Sequence, residues 1–494
     1  MHALGTFASI LFSGGTVIAF DKTTESLQVF RNGSVLVEND RISQVINDAS
    51  SIFPIPPDTE IVNVSGKILT PGFVDTHHHL WQSLFKTLES NDSLATYFTL
   101  FGETGPAETN FTTEDSYISQ LGGALESLNA GVTTIVDHAH GLWSNDTADA
   151  ILQADIDSGA RIHFAFAIHP LTNNWTIQDQ MAKFQAMATQ GLYFNTATSL
   201  GIAYDHFVDG AASQTHAVVD LAIGNKVSVV TSHCVGGPFK TYNGPEILSP
   251  FGILNTSIPI IISHASYLTA EGMAILRATN QYIACTPESE LQLGFDTHNV
   301  TRLIQDQAAL GVDTNFGFSA DIIGQARLWL QRLRGLNYED VLDEGLWPSN
   351  NPMSANQAFL LATRHGGLAL RRNDIGIIAA GAKADLVVFD TTRSASFLGW
   401  NDPVAAVMLH AGIGDIEHVL VDGKFVKRDW KLTYPDYTGV AQRFARSAER
   451  IQSSWAKIPQ PLYSDGGGYH YGLTKQVDTQ RGDGTGYGDL EIQG

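Results

Sequence analysis

Between Pro71 and about Ala369, short apolar runs alternate with stretches of helical period, and no other feature constrains the fold as tightly. A strand that returns parallel to its predecessor needs a crossover, usually a helix, so the alternation predicts βα units around a parallel sheet. The strand candidates end at His79 ("GFVDTHHH"), His138 ("GVTTIVDH"), His169 ("IHFAFAIH"), Asp205 ("SLGIAYD"), His233 ("VSVVTSH"), His264 ("IPIIISH"), Pro287 ("YIACTP") and Asp321 ("TNFGFSAD"). Eight such strands over roughly 300 residues predict an α/β fold, a (β/α)8 TIM barrel with insertions. Most of them end in His or Asp, at the face where such barrels carry their chemistry.

The flanks follow a different pattern. Residues 1–70 alternate β-rich runs ("TVIAF", "LQVF", "GSVLVEND", "IVNV", "KILT") with turns and show no helical period. After "MSANQAFLLATRHGGLAL" the β-rich runs return, in "DIGIIAAGAKADLVVFD" and "IEHVLVDGKFV". Residues 1–70 and 372–435 are therefore expected to form one composite β-sandwich domain, and 71–371 the barrel. Residues 436–494 are expected to hold a C-terminal helix and a Gly-rich tail, irregular past Tyr463.

Charge and composition narrow the partners. Lys plus Arg number 29 against 51 Asp plus Glu, a formal charge of −22, which argues against a nucleic-acid backbone or an anionic membrane. A small-molecule substrate is the expectation that remains, with a homo-oligomer left open. Two cysteines are too few for a disulfide framework, and no apolar run reaches the ~18 residues of a membrane helix. The N-terminus lacks a basic region and runs into Gly14-Gly15, so the expected location is cytoplasmic. Eight N-x-S/T sequons, at Asn32, Asn63, Asn91, Asn110, Asn145, Asn174, Asn255 and Asn299, keep secretion as the alternative.

The stretch "PGFVDTHHHL" (Pro71–Leu80) raises the question of metal. On a strand, residues i and i+2 share a face, so His77 and His79 converge inside the barrel while His78 points outwards. Alone, H-x-H is a weak signal. Its weight comes from His233, His264 and Asp321, which bring five metal-competent groups to one edge of the barrel.

"ILTPGFVDTHHHL", "SADII" and "GAKADLVVFD…VLVDGKFV" resemble the amidohydrolase superfamily, in its chlorohydrolase and nucleobase-deaminase branch (cytosine, guanine and S-adenosylhomocysteine deaminase-like), from about Ile10 to Lys427. The resemblance implies that His77, His79, His233 and Asp321 hold one divalent metal ion, Zn first and Fe as competitor. His264 would sit just beyond, against the water or the substrate. Members with two metals bridge them with a Lys ending the fourth strand; "SLGIAYD" has none. A divalent cation makes hydroxide available near neutral pH. Asp321 would be the general base, and His264 would polarise the electrophile or steady the oxyanion. The implied reaction is hydrolysis of a C–N bond in a cyclic or aromatic small molecule, as a deaminase or amidase. Dechlorination, a lyase-type reaction and a barrel that binds without turnover are the alternatives.

Two motifs break from that branch. Its H-x-x-E glutamate, a proton shuttle, is replaced here by Gly236, in His233-Cys234-Val235-Gly236. Its P-x-S-N segment reads Pro287-Glu288-Ser289-Glu290. Glu288, the nearer to the strand end, or Glu290 could replace the shuttle or bind a cationic amine; equally, either could cap a helix or pair with an Arg. Gln82, Trp81, His138, Glu290 and Phe295 are the substrate-binding candidates, with Trp143 and His140 beside them. Cys234 reads as a small buried residue, and His163, His169 and His365 are assigned no role.

Overall fold

The computed structural model describes residues 9–51, 53–295, 300–464, 468–469, 472–475 and 477. Five strands come first: β1 (Ile10–Asp21), β2 (Ser26–Glu38), β3 (Arg41–Ile46), β4 (Glu60–Asn63) and β5 (Ile68–Pro71). Nine follow: β6 (Phe73–His78), β7 (Val132–Ala139), β8 (Arg161–Ala167), β9 (Ser199–Ala203), β10 (Val230–Val235), β11 (Thr241–Tyr242), β12 (Ile260–Ser266), β13 (Tyr282–Cys285) and β14 (Ala308–Leu310). The last four considered are β15 (Leu386–Phe389), β16 (Ile416–Val421), β17 (Lys424–Arg428) and β18 (Lys431–Leu432). Of the helices, four matter below: α1 (Thr113–Asn129), α2 (Pro287–Gln292), α3 (Ile322–Asp343) and α4 (Tyr437–Trp455).

The parallel sheet runs β14-β13-β12-β10-β9-β8-β7-β6, with β11 folded back antiparallel on β10. Its two edges meet just past β14, where the Asp313 N–H donates to His77 O at 2.8 Å and Asp313 O accepts from the His79 N–H at 2.7 Å. This is the (β/α)8 barrel expected from the alternation. β6, β8 and β12 are buried at every residue, as parallel strands covered on both faces must be. Small and branched side chains, among them Val74, Val136, Ala165, Ile261 and Ala309, fill the interior.

The eighth strand is not the one expected. It is β14, whose Ala308–Leu310 pair with Ile283–Cys285, while residues 314–321 form no strand. The apolar look of "TNFGFSAD" has another cause. Phe316 leaves the barrel to pack on Phe85 and Phe101, and the Asn315 amide donates to Glu126 at 2.8 Å.

Strands from both ends of the chain build the second sheet, in the order β18-β17-β16-β15-β5-β1-β2-β3, with β4 also on β1. The two ends meet where β5 pairs antiparallel with β15. Val17, Val35, Leu69, Ile378, Leu386 and Val388 form its own core. Below the barrel, Arg161 at the start of β8 donates from Nε and Nη2 to Asp385 at 3.1 Å and from Nη2 to Asp422 at 2.6 Å, tying the two sheets together.

The C-terminal helix α4 lies along α1 through Arg443–Glu114 (2.8 Å), and Trp455 Nε1 donates to Leu100 O at 2.9 Å. Most of the Gly-rich tail, and the sequon at Asn299, lie outside the described residues. Among the described residues, no helix is long and apolar enough to cross a membrane.

Candidate active site

The C-terminal mouth of the barrel opens into a cavity of about 400 Å³ lined by His79, Glu103, His140, His169, Asp205, His233, His264, Phe295 and Asp313, among others. His77 lies behind this lining, fully buried, against His79, His233 and His264. Each central imidazole is held by its Nδ1. His79 Nδ1 lies 2.8 Å from the His138 carbonyl, His233 Nδ1 2.8 Å from Asp205 Oδ2, and His77 Nδ1 2.8 Å from Ser263 Oγ. A carbonyl and a carboxylate can only accept, so the Nδ1 of His79 and of His233 carry protons, and in the neutral rings both Nε2 atoms are bare lone pairs.

Those two Nε2 atoms face each other at 3.1 Å. Asp313 Oδ1 is 3.4 Å from the Nε2 of His79 and of His77, and the latter has no hydrogen-bond partner among the described residues. Lone pairs and a carboxylate packed this closely repel one another unless a cation joins them. Three imidazoles and one carboxylate suit a divalent metal ion, so the residues present fit the metal expected from the sequence. The protonation states agree. Burial holds His77 and His79 well below the usual imidazole range. Burial pushes Asp313 up, but the neighbouring His77 and His264 outweigh it and hold the carboxylate charged. Burial lowers His233 too, but Asp205 more than reverses it and raises that ring, so a proton competes with a cation there, while the other three groups are in the neutral-imidazole and ionised-carboxylate forms that ligate a metal.

The arrangement follows from the strands. Alternation on β6 turns His77 and His79 inwards and sends His78 out to Asp75, 2.7 Å from its Nδ1. Near the end of β12, His264 and Ala265 both adopt positive φ, 66° and 54°, where the register against β10 breaks. This rare backbone re-aims the His264 ring, which meets Phe295 edge-on at 5.0 Å.

Several of the expected site residues lie away from the cavity. Asp321 is not among the clustered ligand atoms: it caps α3, its Oδ1 accepting from Ile323 N at 3.0 Å, and Asp313 occupies the place expected for it. Glu288 points away from the cavity and accepts from Gln325 Nε2 at 3.0 Å. Glu290 is buried behind His264, where its Oε1 accepts from the Thr286 N–H at 2.9 Å. Gln82 is likewise buried, donating to Phe101 O at 2.9 Å and Tyr97 Oη at 3.1 Å. Trp81 packs on Trp143 and donates to His140 Nδ1 at 3.0 Å. His138 sits behind His79 and His233, with Nε2 3.3 Å from Asp205 Oδ2. None of these six residues lines the cavity, whereas Phe295 and His264 do. At Gly236, an added Cβ would lie 2.9 Å from Tyr242 Cδ2 and 3.0 Å from Ser266 O, so a side chain there would have to push its neighbours aside.

The cavity wall holds groups to which the sequence assigned nothing. Glu103 stands between His140 and His169, its oxygens 3.8 Å from each Nδ1. Burial pushes its carboxyl up, and the two imidazoles more than reverse that. Asp205, read only as a strand end, orients His233. Asp313 did leave a signal, since the apolar run "AALGV" precedes it as "GFV" precedes Asp75, but Glu103 and Tyr97 lie on an insertion with no strand period.

Glu89 is a cost carried close to this site. Its carboxyl is buried, neither oxygen has a hydrogen-bond partner among the described residues, and burial, with Asp313 next, raises its pKa to about 9. A carboxyl raised from 4.5 contributes stability that is full below 4.5 and lost as pH rises towards 9. Glu89→Gln is therefore expected to match wild type closely at pH 4.5 and to exceed it at pH 8 by up to about 5 kcal/mol in urea unfolding. An equal difference at both pH values would refute it.

A parallel eight-stranded barrel with imidazoles and a carboxylate gathered at its C-terminal mouth defines a metal-binding barrel of the hydrolase kind. Residues 68–426 match the model of the amidohydrolase family, and the chain belongs to that family. It is thus a hydrolase acting on carbon–nitrogen bonds other than peptide bonds. It is 23% identical over 440 residues to 5'-deoxyadenosine deaminase of Methanobrevibacter smithii, covering 85% of this chain and 94% of that protein. It is 24% identical over 401 residues to 5-methylthioadenosine/S-adenosylhomocysteine deaminase of Acetivibrio thermocellus, covering 79% and 88%. Its fold is similar to that of a zinc-bound adenosine deaminase from Xanthomonas campestris, with TM-score 0.76, 18% identity and 90% and 98% coverage. It is similar also to triazine hydrolase from Arthrobacter aurescens, with TM-score 0.74, 17% identity and 90% and 100% coverage.

Proposed function

We propose that this chain hydrolyses a C–N bond of a cyclic or aromatic small molecule as a deaminase, with Asp313 as general base. The observation that carries the reading is Asp313 Oδ1 lying 3.4 Å from two imidazole Nε2 atoms. His77, His79, His233 and Asp313 would hold one divalent ion, Zn by donor set with Fe as competitor. When bound, the ion supplies Lewis acidity and a water of lowered pKa. Asp313 takes the proton from the attacking water and returns it to the leaving nitrogen. Glu103, charged and at less than full hydrogen-bond contact with its neighbours, accepts a donor from the substrate. The amine and hydroxyls of 5'-deoxyadenosine, which the M. smithii relative is named for, offer such donors.

The test is ammonia release from a panel of 5'-deoxyadenosine, adenosine, guanine and cytosine, with metal measured by elemental mass spectrometry. About one Zn or Fe per chain, lost in His233→Ala, together with ammonia from one compound, is the expected outcome. Chloride release from a chlorinated triazine with no ammonia from the panel would favour the dechlorinating alternative. No metal after reconstitution would sink both.

A further inference from the structure

Hydrolysis of a C–N bond in an amidine-like ring moves two protons. The attacking water loses one to the leaving amine, which departs as ammonia, and one to the ring nitrogen, as the C–O bond forms and the C–N bond breaks. Asp313 can carry one at a time. Position 236, where a second carrier would be expected, is a glycine, crowded by Tyr242 and Ser266 O, and supplies no proton-carrying group.

The structure offers another carrier, and its support lies behind the cavity. His264 Nδ1 is 2.9 Å from Thr286 Oγ1, and Thr286 Oγ1 donates to Glu290 Oε1 at 3.3 Å. Glu290 Oε1 is itself 3.5 Å from His264 Nδ1. A carboxylate that close draws both protons towards itself: Thr286 donates to Glu290, so Thr286 Oγ1 is left to accept from His264. Ser289 Oγ is also hydrogen-bonded to Thr286 Oγ1 at 2.8 Å, and its own proton goes to Thr286 O at 3.1 Å. With Nδ1 turned to Thr286, the ring nitrogen of His264 on the cavity side is Nε2.

We propose that Glu290, acting through Thr286, fixes His264 with its proton on Nδ1, so that Nε2 faces the cavity as a proton acceptor and His264 carries the second proton. Glu290 and Thr286 are positioning residues, and His264 touches the substrate. This reverses the expectation that His264 donates to an oxyanion, because a neutral ring protonated at Nδ1 has no proton on Nε2 to give. Two departures from the branch's sequence pattern, the glycine at 236 and the acid at 290, then compensate each other.

The catalytic half rests on the deaminase reading, so the experiment has two readouts. The first is ¹⁵N NMR of metal-replete protein labelled at histidine, with His264→Asn locating the His264 signals. Wild type is expected to show a protonated Nδ1 and an unprotonated Nε2, and Thr286→Val to lose that preference. A protonated Nε2 in wild type overturns the proposal whether or not any substrate is turned over. The second is steady-state kinetics on whichever panel compound releases ammonia. Glu290→Gln and Thr286→Val are each expected to lower kcat about tenfold or more with KM within threefold. Thr286→Ser, which keeps the hydroxyl, should recover kcat to within threefold. The double variant should be no worse than the worse single, because both act through one chain of hydrogen bonds. A kcat within twofold of wild type in Glu290→Gln, or losses that multiply in the double variant, overturns the relay. Ammonia from no compound on the panel counts against the deaminase reading and leaves the NMR result to decide the hydrogen-bond chain.

Discussion

Asp313→Asn is expected to lower kcat by about 10³-fold or more, whereas Asp321→Asn leaves it within about twofold. The two residues are eight positions apart, and the sequence motif pointed to the second. The structure separates them. Asp313 faces the Nε2 atoms of His77 and His79, and its charged form is stabilised there; an amide in its place removes both a proton acceptor and an anionic partner for a cation. Asp321 accepts a backbone N–H at the start of α3, and Asn caps a helix about as well as Asp, so stability should change by less than ~0.5 kcal/mol. Metal content sharpens the test, since Asp313→Asn should also hold metal more weakly. Equal kcat in wild type and Asp313→Asn would remove the general base from the mechanism. A collapse in Asp321→Asn with unchanged folding would restore the role to the later aspartate.

The misplacement of this one residue shows what a sequence carries and what it does not. Alternation is a local rule, so "VDTHHH" placed His77 and His79 inwards and His78 outwards, as the structure has them. Strand identity is a rule about partners. "TNFGFSAD" has a strand's composition, but its Phe316 is recruited by Phe85 and Phe101, and three residues of "AAL" close the barrel because they find Ile283–Cys285 beside them. The barrel and the return of the far end of the chain to the first sheet were legible, being repeats of one pattern over many residues. Glu103 was not, because a turn positions it and no period runs through a turn. Glu290 was visible as a chemical oddity, but its use depends on Thr286 and His264, which only the folded chain brings into line.

Arg161→Ala is expected to cost about 3–5 kcal/mol of stability, because it leaves the buried Asp385 carboxylate without its cation. Arg161 reaches Asp385 with two nitrogens and Asp422 with one, at the base of the barrel where β8 begins and the composite sheet packs against it. Asp422 also has Lys383 at 2.8 Å, so it keeps a partner when the arginine goes, while Asp385 retains the backbone N–H of Asp422 at 2.8 Å but, among the described residues, no other side-chain cation. The penalty therefore falls mainly on Asp385. That gives the prediction an internal check: Arg161→Met with Asp385→Leu, which removes the buried charge along with its partner, should recover most of the loss, as buried ion pairs replaced by packed apolar groups often do. Urea unfolding of the three proteins measures it. If Arg161→Ala costs under about 1 kcal/mol, water must already reach the pair and screen it. Turnover of the folded fraction should not change in any of them, because Arg161 starts a strand whose other end faces the cavity, and the N-terminal face of such a barrel serves stability.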